Sequence, residues 1–461
     1  MMRDKSRLRF RLRLRKFLTS ASALTFFMAL TFISTLSSSA ADIKPKRVVT
    51  ENGIILLILE RHSLPIVNIN MVIKSGSIYE SDEKAGLSSI MSSLLDEGTK
   101  IRTSTQISQE IDFVGGGLST FGGDDSSGAS LRILKKDLPL GLDLLSDIVI
   151  NPTFPEAEIE RKKAEMIGGL LSEKDEPGIV AGKAFNEMIF GAHPYHRATN
   201  GTEATIPGIT RDDIAAYYER FYRPNNTIMS IVGDITEQEA IEAVNRYFGK
   251  WEKKEISSPL IPNAPLLEKR VVKLIDKDLT QANIIIGHIG IDRKNPDYYN
   301  LVVMNYILGG GGFSSRLMKD IRDNQGLVYG IRSNFDASFY PGSFAVSLQT
   351  KNETANRAIE AVLKEIKRIR EEPVSDQEIE EAKSYLIGSF PLRIDTNAKI
   401  AAILTSIEYF GLGLDYFDRY PKLIGSVTKA DITRVAKKYL DPERFAMVVV
   451  AKQTEAKIVE Q

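Results

Sequence analysis

Apolar positions follow two patterns along this chain. At 357–370, Ile359, Val362, Ile366 and Ile369 recur at helical spacing and predict an amphipathic helix. TIMSIVG at 227–233 and FAMVVVA at 445–451 are unbroken apolar runs with the length and composition of buried strands. Each run follows a proline, Pro224 or Pro442, that closes a helix opened by Thr-x-x-Asp, a capping box at Thr210 and again at Thr428. Residues 86–99, GLSSIMSSLLDEGT, read as an apolar helical stretch in which Ser89, Ser92 and Ser93 share one face at i, i+3 and i+4.

These signals are written twice. Glu158-Ile159-Glu160 recurs as Glu378-Ile379-Glu380 at an offset of 220, and Ile209–Ile214 recurs as Val427–Ile432 at 218. A strand beginning at Gly128 is echoed by one beginning at Gly342, an offset of 214. Between the copies, SSPLIPNAP at 257–265 holds three prolines, which fix φ and make a semi-rigid connector. Strands alternating with amphipathic helices in each copy predict an α/β protein of two homologous domains, 42–250 and 267–461, joined by a linker at 251–266.

Composition then narrows the class. A chain of 461 residues, 43% of them hydrophobic, can bury more than one core. The formal charge is zero, but residues 1–40 hold eight basic residues and one acidic one. The remainder has 52 basic and 59 acidic residues, a net of −7, which argues against nucleic acid or anionic membrane as a main partner. The basic run RDKSRLRFRLRLRK, an apolar stretch from Phe17 to about Leu36 and the small residues SSSAAD predict a signal peptide over 1–41, cleaved near Ala40 or Ala41. An uncleaved anchor is the competing reading; Thr19, Ser20, Ser22, Thr25, Thr31 and Ser34 interrupt the stretch and favour cleavage. Nothing after residue 41 approaches the ~18 consecutive apolar residues of a span. With no cysteine, disulfides, thiolate nucleophiles and Cys-based zinc sites are excluded. An exported, soluble, periplasmic protein is expected.

The serine spacing at 89, 92 and 93 is that of an inverted zinc motif, His-x-x-Glu-His, in which two imidazoles grip the metal and the glutamate activates water. The bland alternative is a core helix with small residues for close packing. The surrounding sequence, Gly-Leu-Ser before and Gly-Thr after, resembles the zinc-motif region of the insulinase/pitrilysin family of metallopeptidases. The resemblance extends through KRVVTENGIILLILERHSLPIVNINMVIKSGSIYE, ILGGGGFSSRLMKDIRDNQGLVYGIRS, SFPLRIDTNAKIAAIL and LDYFDRYPKLIGSVTKADI, in the family's order. It implies that each half is a mostly antiparallel sheet packed with helices, an α+β sandwich, and that the halves belong to a chamber for unfolded peptide.

On that alignment the family's His, Glu and His have become Ser89, Ser92 and Ser93, and its third ligand, a glutamate in the helix beginning Glu160-Arg161, has become Ile167. Glu165 lies two residues away, on another part of that helix, and Ser119 replaces an asparagine beside the substrate strand. Hydroxyls are poor zinc ligands and poor bases near neutral pH, so no cofactor is expected in this chain. His193 and His196 have ligand-like spacing with Glu187 nearby, although Gly191 and Pro194 point to a structural loop. His62 and His288 read as locally satisfied strand-end residues.

Arg322 and Tyr329, seven residues apart, match the family's Arg/Tyr pair, which the resemblance implies donates to the substrate carbonyl as it becomes an oxyanion. Gly309, Gly310, Gly311 and Gly312 lack the Lys-Ser/Thr ending of a phosphate loop. They resemble a shortened form of a substrate-contacting glycine segment in the family's non-catalytic subunits; a helix-ending turn is the alternative. Some members divide the labour between a zinc-bearing chain and an Arg/Tyr-bearing chain. The resemblance therefore implies the non-zinc subunit of a periplasmic two-chain endopeptidase, with zinc in a homologous partner and a peptide or unfolded protein as substrate. The rival is a catalytically inactive peptide-binding or scaffold homologue.

Overall fold

Residues 43–257 and 259–459 are described by a computed structural model; the leader expected at 1–41 lies outside them. Pro45–Gln461 pack as one compact unit containing two sheets. The first is built from β1 (Lys46–Val49), β2 (Ile55–Glu60), β3 (Ile66–Ile73), β4 (Gly117–Gly122), β5 (Ser127–Leu134) and β6 (Thr227–Gly233), in the order β1-β2-β6-β3-β5-β4. The second is built from β7 (Val271–Asp276), β8 (Gln281–Ile289), β9 (Val328–Ala337), β10 (Pro341–Lys351) and β11 (Ala446–Ala451), in the order β7-β11-β8-β10-β9. Setting β1 aside, the two orders are the same wiring. In each, only the pair formed by the first and last strands of the repeat, β2·β6 and β7·β11, is parallel. The expected pair of mostly antiparallel α/β sandwiches is what the chain forms.

The helices repeat as well. The first half carries α1 (Leu87–Ser93), α2 (Ser104–Phe113), α3 (Leu138–Ile150), α4 (Glu156–Glu173), α5 (Pro177–Phe190), α6 (Arg211–Phe221) and α7 (Glu237–Phe248). The second carries α8 (Tyr298–Asn305), α9 (Ala355–Glu371), α10 (Asp376–Gly388), α11 (Asn397–Phe410), α12 (Tyr416–Gly425) and α13 (Lys429–Tyr439). Both expected capping boxes open helices: Thr210 accepts from the Asp213 amide before α6, and Thr428 from the Asp431 amide before α13. Ile359, Val362, Ile366 and Ile369 form the buried stripe of α9.

The strands from the two apolar runs, β6 and β11, are buried at every position, so both faces of each are covered. One cover comes from the opposite half. α5 leaves the first half to pack on β11 and β8, and α11 leaves the second to pack on β6 and β3. Phe185 and Ile189 of α5 share a core cluster with Val448 and Val450, while Ser230 of β6 donates to the Ala401 carbonyl at 2.8 Å and Asn70 of β3 donates to Thr405 at 2.7 Å. This reciprocal exchange puts helix against sheet at both contacts between the halves. No helix or strand occurs among the described residues of the 251–266 connector beyond the end of α7.

Candidate functional site

Gly86 caps the start of α1, and the helix's first turn is held by Glu80, which the sequence did not single out. Glu80 accepts from the Gly86 amide at 3.0 Å and the Ser88 amide at 2.5 Å, satisfying two of the helix's free N–H groups. Burial pushes the Glu80 carboxyl up to about 8, with those amides opposing. The only sequence signal was an acidic residue just ahead of an N-terminal glycine.

On α1, each of the three serines is occupied. Ser89 donates to the Asn200 side chain at 2.9 Å, Ser93 to the Ile90 carbonyl at 2.9 Å, and Ser92 to the Ser88 and Ser89 carbonyls at 2.8 and 3.0 Å. Ser92 is 1% exposed, and a Cβ added to Gly122 of β4 would lie 2.4 Å from its hydroxyl, so the strand leaves no room above it. Ile167 of α4 packs against the first core, and Glu165 turns outward to Arg161 and Lys162. Ser119 pairs with Ser130 across β4 and β5 at 2.8 Å. Hydroxyls engaged in this way do not fit a zinc ion.

The histidines are likewise structural. His193 is 1% exposed, its Nδ1 accepts from the Tyr195 amide at 3.1 Å, and burial pushes it down to about 4. His196 turns its Nδ1 to the His193 carbonyl at 2.9 Å, while Glu187 pairs with Lys273 at 3.1 Å. The three side chains do not converge, so a peptidase built on His193 and His196 has no geometry here. His62 meets Asp234 at 2.7 Å and His288 meets the Ile289 carbonyl at 2.9 Å, each near a strand end.

The second-half candidates gather at one edge. β9 is the outer strand of its sheet, and Tyr329 near its start is 77% exposed with no hydrogen-bond partner among the described residues. The segment before it, Met318–Asn324, is a π-helical turn carrying Arg322, whose guanidinium lies 5.1 Å from the Phe313 ring centroid and 3.5 Å from Asp323. A second π-turn, Tyr306–Gly310, takes in the first two glycines, Gly309 and Gly310. Packing accounts for Gly309, where a Cβ would sit 2.6 Å from the Ser333 amide of β9, and Gly312 turns the chain at φ +59° with open space around it. The stretch between the turns is fixed from below. Arg316 is 8% exposed and grips the Glu378 carboxylate of α10 at 2.6 and 3.0 Å.

Beside this edge, a cavity of about 620 Å³ runs under the first turn of α5, floored by β8, β10 and β9 and closed by Gly312 and Phe313. A second cavity, of about 400 Å³, lies between α4, α5 and the His196 loop. Six of its charged residues pair with one another as Lys183–Glu173, Lys174–Glu203 and Arg197–Asp82, and Glu187 pairs with Lys273 outside the lining.

Two copies of one sandwich, exchanging a helix and carrying an exposed Arg/Tyr edge, define a duplicated peptidase-type chain. Residues 56–202 match the family described as insulinase (peptidase family M16), and residues 208–386 match the peptidase M16 inactive domain. This chain belongs to the insulinase family, peptidase family M16. It is 27% identical to an uncharacterized zinc protease, YmxG, of Bacillus subtilis over 77% of this chain and 86% of that one. It is 28% identical to the non-peptidase homolog YmxG of Helicobacter pylori over 77% of this chain and 81% of that one. The crystal structure of a peptidase M16 inactive domain from Pseudomonas fluorescens superposes with a TM-score of 0.84 at 26% identity, covering 88% of this chain and 98% of that one. A Helicobacter pylori protease shares the fold, with a TM-score of 0.83 at 18% identity over 89% of this chain and all of that one. No helix among the described residues is long and apolar enough to cross a membrane.

Proposed function

We propose that this chain is the non-metal subunit of a periplasmic two-chain zinc endopeptidase that acts on peptides or unfolded proteins. Arg322 and Tyr329 complete the site of a homologous zinc-bearing partner, and the chain supplies one wall of the peptide chamber. The observation that carries this reading is a contrast within one molecule. The hydroxyls on α1 are spent on internal hydrogen bonds, whereas the Tyr329 phenol is 77% exposed and unpartnered beside the Arg322 guanidinium segment. An unpartnered phenol, with a guanidinium held only at 3.5 Å by its neighbour Asp323 and over the Phe313 ring, suits a carbonyl oxygen that gains charge in the transition state. The Gly312–Phe313 turn lies on the same side and contacts substrate.

The test is reconstitution. The isolated chain holds no stoichiometric zinc by metal analysis and cleaves no unfolded polypeptide. Mixed with a family member from the same organism that bears His-x-x-Glu-His, it restores cleavage, and Tyr329→Phe depresses that rate on the order of a hundredfold. An unchanged rate with Tyr329→Phe sinks the assigned role.

The Helicobacter pylori relative is named a non-peptidase homolog, which favours a second reading of this chain as a peptide-binding protein that has left catalysis. On that reading no zinc-bearing homologue restores cleavage, while peptide binding persists.

A further inference from the structure

The cavity under α5 has a lining that specifies what it takes. Its walls are apolar, from Ile179 on the first turn of α5 to Phe313 on the opposite lip, and at about 620 Å³ it falls in the size range of small-ligand sites. Among its lining residues one is charged, Arg332 of β9, and none is acidic. The Arg332 guanidinium has neither an ion-pair nor a hydrogen-bond partner among the described residues. An unpaired guanidinium beside apolar walls is complementary to a carboxylate, which it binds through two parallel N–H donors.

The floor adds a second specification. Gln349 of β10 donates to the Asn283 Oδ1 of β8 at 2.9 Å, in a row across the sheet that continues to Gly330 of β9. Asn283 is 7% exposed, and its Nδ2 makes only a 3.5 Å contact, to the Gln281 carbonyl. The pair is left with amide N–H donors on Asn283 and on Gln349 and with the Gln349 carbonyl oxygen as an acceptor, side by side. That is the complement of a peptide group. Gly330 ends the row without a side chain, and a Cβ built there would meet nothing within 4 Å.

Arg332 lies two residues along β9 from Gly330, so its Cα stands about 7 Å along the strand from the amide row, on the same face of the sheet. In an extended chain that is the distance from a terminal carboxylate to the peptide group about two residues before it. We infer that this cavity binds the C-terminal end of an extended peptide, its α-carboxylate on Arg332 and a backbone amide on Asn283 and Gln349, with apolar side chains against Ile179 and Phe313. The inference rests on the peptide-binding part of the proposed function and needs neither partner nor turnover.

The experiment measures fluorescence anisotropy of the purified chain with N-terminally labelled Ala-Ala-Ala-Phe-Leu, as the free acid and as the C-terminal amide. The free acid binds at least tenfold more tightly than the amide. Arg332→Gln, at an exposed side chain, weakens the acid to the level of the amide. Gly330→Leu, which fills the open end of the amide row, abolishes binding of both while the thermal midpoint stays near that of the parent. Equal affinity for acid and amide, a preference that survives Arg332→Gln, or no binding at millimolar peptide overturns the inference. So does competition by decanoate as effective as the peptide's own, since a bare carboxylate on an apolar tail needs no amide row. Loss of this anchor and loss of the Tyr329 role are distinguishable, because the first is read by binding alone and the second by cleavage in the mixture.

Discussion

Replacing Glu378 by glutamine removes the carboxylate that holds the stretch just before the Arg322 turn against α10. In the native chain its oxygens take the Arg316 Nε and Nη2 at 2.6 and 3.0 Å, and they also accept from the Ser375 amide at 2.8 Å and hydroxyl at 3.0 Å. Burial pushes the Glu378 carboxyl upward, but the guanidinium and the Ser375 donors outweigh it and hold the group at about 2, against an ordinary value of 4.5. At ~1.4 kcal/mol for each unit, the difference amounts to about 3 kcal/mol. The sign follows from linkage. A depressed carboxyl contributes stability that is present above the unfolded value near 4.5 and is lost as pH falls toward 2. Urea unfolding at pH 7 therefore shows Glu378→Gln destabilised by about 3 kcal/mol, or somewhat more because Arg316, 8% exposed, is left buried without its partner. The gap between parent and variant shrinks below ~1 kcal/mol as pH approaches 2. Arg316→Met combined with Glu378→Gln is less destabilised than the sum of the two single changes. A gap under 1 kcal/mol at pH 7, or one that does not narrow in acid, refutes the claim that this pair is an anchor.

Two further changes probe the rest of the account. Ser92→Glu, which restores the family's acidic residue on α1, puts a carboxylate at a site that is 1% exposed and covered by Gly122, so urea unfolding shows a loss of about 2–4 kcal/mol; a loss under 1 kcal/mol would mean that the helix still has room for the motif. Leu404→Ala truncates a fully buried side chain on α11, the helix lent to the first sheet, and costs about 2–5 kcal/mol. Because each half caps the other's sheet, calorimetry of that variant shows one transition; two separated transitions would mean that the halves fold independently.

What could be read before folding was whatever the chain writes locally. The capping boxes at Thr210 and Thr428 and the stripe of α9 need only residues within a few positions of each other. The runs at β6 and β11 announced strands covered on both faces, but nothing local says that the second cover is a helix from the other half. The serine face and Ile167 were legible as positions, whereas Gly122 pressing on Ser92 comes from a strand nearly thirty residues on. Glu80 was missed because its partners are backbone amides, which every sequence has. Arg332, Asn283 and Gln349 come from three strands and meet only in the folded sheet. The π-turns around the glycines have no periodic signature at all.

The central claim is that a chain with a filled motif helix still contributes chemistry through Arg322 and Tyr329. Single-turnover cleavage of an unfolded polypeptide, by this chain mixed with a zinc-motif homologue from the same organism, tests it most directly. The account predicts no cleavage from this chain alone, cleavage from the mixture, and a drop on the order of a hundredfold with Tyr329→Phe while the two chains still co-purify. A mixture that cleaves equally well with Tyr329→Phe, or in which the homologue alone is fully active, would contradict it.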